Sequence, residues 1–177
     1  MGGGQGRGEG GDKKEDAEVG EKQQLQEGDG LEVCPLSLAA CEDIGKRVTK
    51  SGGAALIIDY GYDFVVEDSL RGFYKHTQVD VLSKPGHVDV TADVDFAACA
   101  HAAVSKGAHA HPLLTQGHFL LSMGIVERVQ ALIDAPSTSE EQANLLVEAL
   151  KRLVDPKEMG SLYKALVVSS PNLKLPS

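Results

Sequence analysis

Gly52-Gly53-Ala54-Ala55-Leu56-Ile57-Ile58-Asp59-Tyr60-Gly61 is the stretch on which the fold turns. A continuous apolar run ending in a carboxylate reads as a strand buried on both faces of a parallel sheet. The residues before it, 35–50, read as a helix: Pro35 suits a first helical turn, and Leu36, Ala40, Ile44 and Val48 recur every fourth residue. Lys46, Arg47 and Lys50 favour the negative end of that helix, and Ser51-Gly52-Gly53 stops it. A helix feeding directly into a buried strand is half of a crossover unit, which places the chain in the α/β class.

Downstream, residues 62–90 show no sustained period and carry Pro85-Gly86, so they read as a long loop excursion with short local structure. Residues 93–105 read as an Ala-rich helix, with Thr91 available as its cap and Asp93 and Asp95 suited to its positive first turn. A short strand is expected over 108–114, then two helical pieces, 116–124 and 125–134, divided at Gly124. The clearest helix is 138–154, where Thr138 and Glu141 have capping-box spacing and Leu146, Leu150, Leu153 and Val154 share a face; it is expected to pack on the sheet. Residues 162–168 form the last expected strand.

Upstream, residues 1–30 are rich in glycine and interleaved charge and offer little apolar surface to offset the entropy of ordering. They read as a disordered tail, ahead of one domain over 31–170 and a short tail over 171–177. Gly6-Arg7-Gly8-Glu9-Gly10-Gly11 has the form of a nucleotide fingerprint but lacks the strand and helix that such a turn needs. The segment is also too acidic for a mitochondrial presequence.

The net charge of -9 and pI near 5.1 argue against nucleic acid and anionic lipid as partners. No apolar run approaches bilayer length. Cys34, Cys41 and Cys99 are odd in number and lack metal-ligand spacing, so they read as reduced thiols. His109 and His111 fall on one strand face, but no convergent third and fourth ligands accompany them, and no metal is expected.

Beside the strand segment stand Arg71-Gly72-Phe73 and Pro85-Gly86-His87-Val88-Asp89-Val90-Thr91-Ala92-Asp93-Val94-Asp95-Phe96. Thr115-Gln116-Gly117-His118-Phe119-Leu120 with Met123-Gly124-Ile125, and Pro156-Lys157-Glu158-Met159-Gly160, follow in order. Together these segments resemble the MidA-like group of class I methyltransferases over about residues 31 to 169.

The resemblance implies a Rossmann-like, seven-stranded, doubly wound sheet, of which this chain carries the C-terminal part. The segment around Asp59 would be the fifth strand, 108–114 near the sixth, and 162–168 the antiparallel seventh. It also implies S-adenosylmethionine as cofactor, and a protein-arginine methyltransferase whose mitochondrial members act on a complex I subunit during assembly. The expected chemistry is direct transfer of methyl from a sulfonium to a guanidine nitrogen.

Ligands of such sheets bind at the carboxyl ends of the strands. Asp59 and Tyr60 are therefore the catalytic candidates, and Arg71, Asp89, Asp95 and Gln116 the substrate-binding ones. Asp59 has a structural alternative as a strand-end cap, Arg71 as a clamp on a loop carboxylate, and Gln116 as a partner for backbone groups at a helix start. The family's Gly-rich cofactor turn is expected before residue 31 and has no counterpart in this chain. The alternatives are a non-catalytic interaction module and, on strand-helix alternation alone, half of a nucleotide-binding oxidoreductase.

Overall fold

A computed structural model of the chain describes residues 30–65 and 67–173. The expected tail over 1–30, with its glycine fingerprint, lies outside the described residues except for Gly30. In chain order the elements are α1 (Pro35–Ser51), β1 (Ala54–Tyr62), β2 (Arg71–Tyr74), β3 (Thr77–Val79), β4 (Asp89–Thr91), β5 (Val94–Asp95) and α2 (Phe96–Val104). They continue with β6 (His109–Ala110), β7 (Leu114–Thr115), α3 (Gln116–Ser122), α4 (Ile125–Ile133), α5 (Glu140–Val154), α6 (Met159–Leu162) and β8 (Tyr163–Ser169).

The main sheet runs β5-β1-β8-β6, with β7 also on β8. β8 is antiparallel to β1 from Ala54↔Ser169 to Tyr60↔Tyr163, as the resemblance implied for the last strand. The parallel neighbour of β1 is short: β5 meets it only at Gly61↔Val94 and Tyr62↔Asp95. β1 is accordingly not buried on both faces. Ala55 and Ile57 point into the core under α1 and α2, whereas Leu56 and Ile58, on the opposite face, are 48% and 44% exposed.

The core is one layer between that face and the two helices, made of Cys41, Val48, Phe96, Cys99, Ala103, Leu166 and Val168. α1 buries Cys41, Gly45 and Val48, while Leu36 is 82% exposed. Of the fourfold spacing Leu36, Ala40, Ile44, Val48, the last two meet the core and the first two do not, because each four-residue step drifts by about 40° around a helix of 3.6 residues per turn. Gly45 is where the helices touch: a Cβ there would lie 2.5 Å from the Ala103 carbonyl oxygen.

The excursion after β1 is more regular than its sequence suggests. β2 pairs with β3 and β4 in a second, antiparallel sheet of order β3-β2-β4. These strands are three or four residues long, too short to show a period. Thr91 ends β4 instead of capping a helix; Asp95 caps α2, its Oδ1 accepting from the Ala98 amide at 2.8 Å.

Beyond β7 the chain forms a helical cluster. The capping box of α5 is Ser139 with Gln142, one residue beyond the expected pair, because the Thr138 hydroxyl is engaged by the Leu132 carbonyl. Leu146, Leu150, Leu153 and Val154 do share a partly buried face, but α5 packs on α3, α4 and α6 and not on the sheet. Gly117 and Gly160 close on its last turn, where added Cβ atoms would stand 2.6 Å and 2.1 Å from the Val154 carbonyl oxygen. No described helix is long and apolar enough to cross a membrane.

Candidate functional site

At the carboxyl end of β1 lies a cavity of about 630 Å³. Glu32, Cys34, Asp59, Tyr60, Asp93 and Asp95 contribute its polar lining. Its walls come from the run into α1, the end of β1, and the β4–β5 segment, so residues far apart in sequence converge there.

Four carboxylates share the cavity, and they differ in what holds them. Glu32 accepts from the Ser69 amide at 2.9 Å, the Leu70 amide at 3.1 Å and the Ser69 hydroxyl. The Ser69 hydroxyl beside it, against some desolvation, holds its carboxyl below the usual range. Glu32 is therefore ionised at neutral pH, and whatever stability it contributes is present above the ordinary carboxylate range and lost only as pH falls through the lowered value. Asp93 pairs with Arg71. Asp95 is occupied as the α2 cap. Asp59 accepts from the Tyr60 amide at 2.8 Å through Oδ1 and has no ion pair among the described residues.

Tyr60 packs edge-on against Tyr163, its cross-strand partner, with centroids 5.6 Å apart. The Arg71 guanidinium lies 5.7 Å from the centroid of the Tyr60 ring. Arg71 thus spans from Asp93 to Tyr60, which is the clamp on a loop carboxylate that its sequence position also allowed. It locks β2 against the β4–β5 segment.

The remaining candidates are elsewhere. Asp89 sits exposed on β4, opposite Phe73 in the small sheet, and does not line the cavity. Gln116 is 7% exposed and donates from Nε2 to the Leu153 carbonyl at 3.0 Å, fastening α3 to the end of α5. That bond satisfies a backbone acceptor within the helical cluster. His111 meets the Ser169 hydroxyl at 2.9 Å and stacks edge-on with His109.

Glu32 lines the cavity and Ser69 binds it from behind the wall, and neither was singled out in the sequence. Both lie outside any periodic element, and the contact between them spans 37 positions. The usable signal was an isolated Glu two residues before the Cys-Pro that opens a helix.

The three thiols are also distinct. Cys34 is exposed at the start of α1, where the Ser37 hydroxyl donates to its sulfur at 3.1 Å and lowers its pKa. Burial, then the neighbouring Cys41, pushes the Cys99 thiol up to about 12. Since the thiolate is the nucleophile, Cys34 is expected to alkylate first with iodoacetamide, and Cys41 and Cys99 only on unfolding. Peptide mass spectrometry over a time course checks the order, and modification of Cys99 in the folded chain would contradict it.

Residues 12–114 match the family of S-adenosyl-L-methionine-dependent methyltransferases. The chain belongs to that family. It is 40% identical over 133 residues to protein arginine methyltransferase NDUFAF7, mitochondrial, of Rattus norvegicus, and 39% identical over 135 residues to the protein of that name in Homo sapiens. These alignments cover 75% and 76% of this chain, which spans about 30% of the length of each relative. A crystal structure of a Burkholderia thailandensis protein bound to S-adenosyl-homocysteine superposes with a TM-score of 0.66 at 28% identity, over 75% of this chain and 35% of that one. The fold is thus the mixed α/β fold of these methyltransferases, whose C-terminal strands the resemblance had placed around Asp59 and at the end of the chain.

Proposed function

We propose that this chain supplies the acceptor side of a protein-arginine N-methyltransferase site that uses S-adenosylmethionine as methyl donor. The observation that carries the reading is the cluster of carboxylates at the end of β1, where Asp59 makes no ion pair among the described residues, its cross-strand neighbour Lys164 donating instead to the Ser161 and Leu162 carbonyls. A carboxylate pairs with the planar guanidinium through two parallel hydrogen bonds and so fixes its orientation. Tyr60, whose ring already accepts one guanidinium, adds an aromatic wall of the kind that receives cations.

The cavity residues suit the methyl acceptor better than the donor. Carboxylates favour a cationic guanidinium, and among the described residues the end of β1 does not lead through a Gly-rich turn into a helix of the sort that holds a nucleotide-like group. The donor supplies an activated methyl on a sulfonium; the work of this chain is to align the acceptor nitrogen and to hold charge on the guanidinium's far side. Asp59 has the orienting role, Tyr60 bounds the ring of contacts, and Arg71 with Asp93 shapes the wall. The relatives called protein arginine methyltransferase NDUFAF7 are mitochondrial proteins by name. Mitochondrial placement and a complex I subunit as the target protein are carried to this chain as part of the same reading.

Calorimetric titration with a short arginine-containing peptide tests it. Saturable binding is expected, stronger than for the lysine counterpart, and Asp59→Asn is expected to weaken it about tenfold, the equivalent of about 1.4 kcal/mol. No preference for arginine, or equal binding by Asp59→Asn, would remove the reading and leave an interaction module that does not recognise guanidinium groups.

A further inference from the structure

Three separate segments meet behind the cavity wall through one hydroxyl. Ser69 is 5% exposed, between β1 and β2. Its Oγ donates to Glu32, on the run into α1, and accepts from the Asp93 amide at 2.9 Å, on the β4–β5 segment. The Ser69 and Leu70 amides add two more bonds to the same Glu32 carboxylate. Asp93 in turn holds Arg71, and Arg71 covers Tyr60. The order is Glu32, Ser69, Asp93, Arg71, Tyr60, and each link is a hydrogen bond, an ion pair or a cation–ring contact.

We infer that Glu32 and Ser69 are positioning residues of the acceptor site, a latch that fixes the Asp93–Arg71 pair and with it the Tyr60 ring against which the guanidinium lies. The inference deepens the arginine reading and rests on it for the identity of the ligand.

Two features set this latch apart from ordinary loop packing. A buried hydroxyl uses both its donor and its acceptor capacity, so either loss leaves a polar group unpaired in a poorly solvated place. The carboxylate also collects three donors from one short backbone turn, an arrangement with a single geometry. Bonds in such a chain polarise and reinforce one another, so a change at Glu32 is felt at Asp93, to which Glu32 makes no bond of its own.

The test uses the whole chain and the variants Glu32→Gln, Ser69→Ala and Ser69→Thr, with arginine amide as the probe. Amide hydrogen exchange at Ser69, Leu70 and Asp93 is followed by NMR, and probe affinity by calorimetry. In Glu32→Gln and Ser69→Ala, exchange at Asp93 is expected to rise about tenfold, as a local opening made easier by about 1.4 kcal/mol would produce. Probe affinity is expected to fall about fivefold or more in the same two variants. Ser69→Thr, which keeps the hydroxyl, is expected to restore both, a rescue that general destabilisation would not give.

Unchanged exchange at Asp93 in a folded Glu32→Gln chain overturns the latch. So does equal loss in Ser69→Thr and Ser69→Ala. If Glu32→Gln does not fold, Ser69→Ala against Ser69→Thr decides. Should the unaltered chain not take arginine amide, the arginine reading falls by itself, and the exchange at Asp93 still decides whether Glu32 and Ser69 hold that segment.

Discussion

Gly61→Ala is expected to lower the unfolding free energy by about 3 kcal/mol and the Tm by about 10 °C. A Cβ at position 61 would lie 2.1 Å from the Val94 carbonyl oxygen and 2.7 Å from its nitrogen, and the φ of +154° is one that side chains rarely adopt. Backbone cannot yield as a flexible side chain can, so the parallel pairing of Gly61 with Val94 has to open. That pairing also aligns Tyr60 with the Asp93–Asp95 wall, so the variant should lose affinity for an arginine peptide even where it remains folded. Urea denaturation with the calorimetric titration measures both. A loss below about 1 kcal/mol would mean that β5 does not lie against β1.

Phe96→Ala is expected to cost about 3–5 kcal/mol, the range for truncating a large buried aromatic. Phe96 is 1% exposed, and it opens α2 directly after the Asp95 cap, at the junction of core and cavity. Its removal leaves a void flanked by helix and sheet that neither can fill, since α1 already touches α2 at Gly45. A chemical denaturation midpoint within error of the parent would show that Phe96 does not anchor the core. Phe96→Leu, which keeps more of the volume, should recover a good part of the loss.

The elements that could be read in the sequence are those whose cause is local. α1 announced itself through Pro35 and Gly52, β1 through its apolar run, and α5 through a leucine stripe that the structure keeps. What escaped was set by distant partners. The small sheet depends on strands of three and four residues that find each other across a gap. The exposed outer face of β1 follows from which helices cover the sheet, and no property of Leu56 or Ile58 reveals that. At the site the same division holds. Asp59 and Tyr60 were accessible because strand ends in such sheets face ligands. Glu32 and Ser69 were not, because each acquires its meaning only from the other. Gln116 and Gly117 stood out as a motif, yet they serve the last turn of α5 and lie away from the cavity.

Gly45 governs which parts of the cavity can move. Helices separated by interlocked side chains slide over one another by small rotamer adjustments, which is how packed layers shear. α1 and α2 have no such cushion at their crossing, where backbone meets backbone. Cys34 and Pro35 at the head of α1 and Cys99 on α2 therefore travel as one stiff wedge, the anvil of the site. Any adjustment to the size of an incoming side chain falls to the opposite wall, from Leu70 to Val94, and because Glu32, Ser69, Asp93 and Arg71 are tied in one series that wall yields by opening the series together.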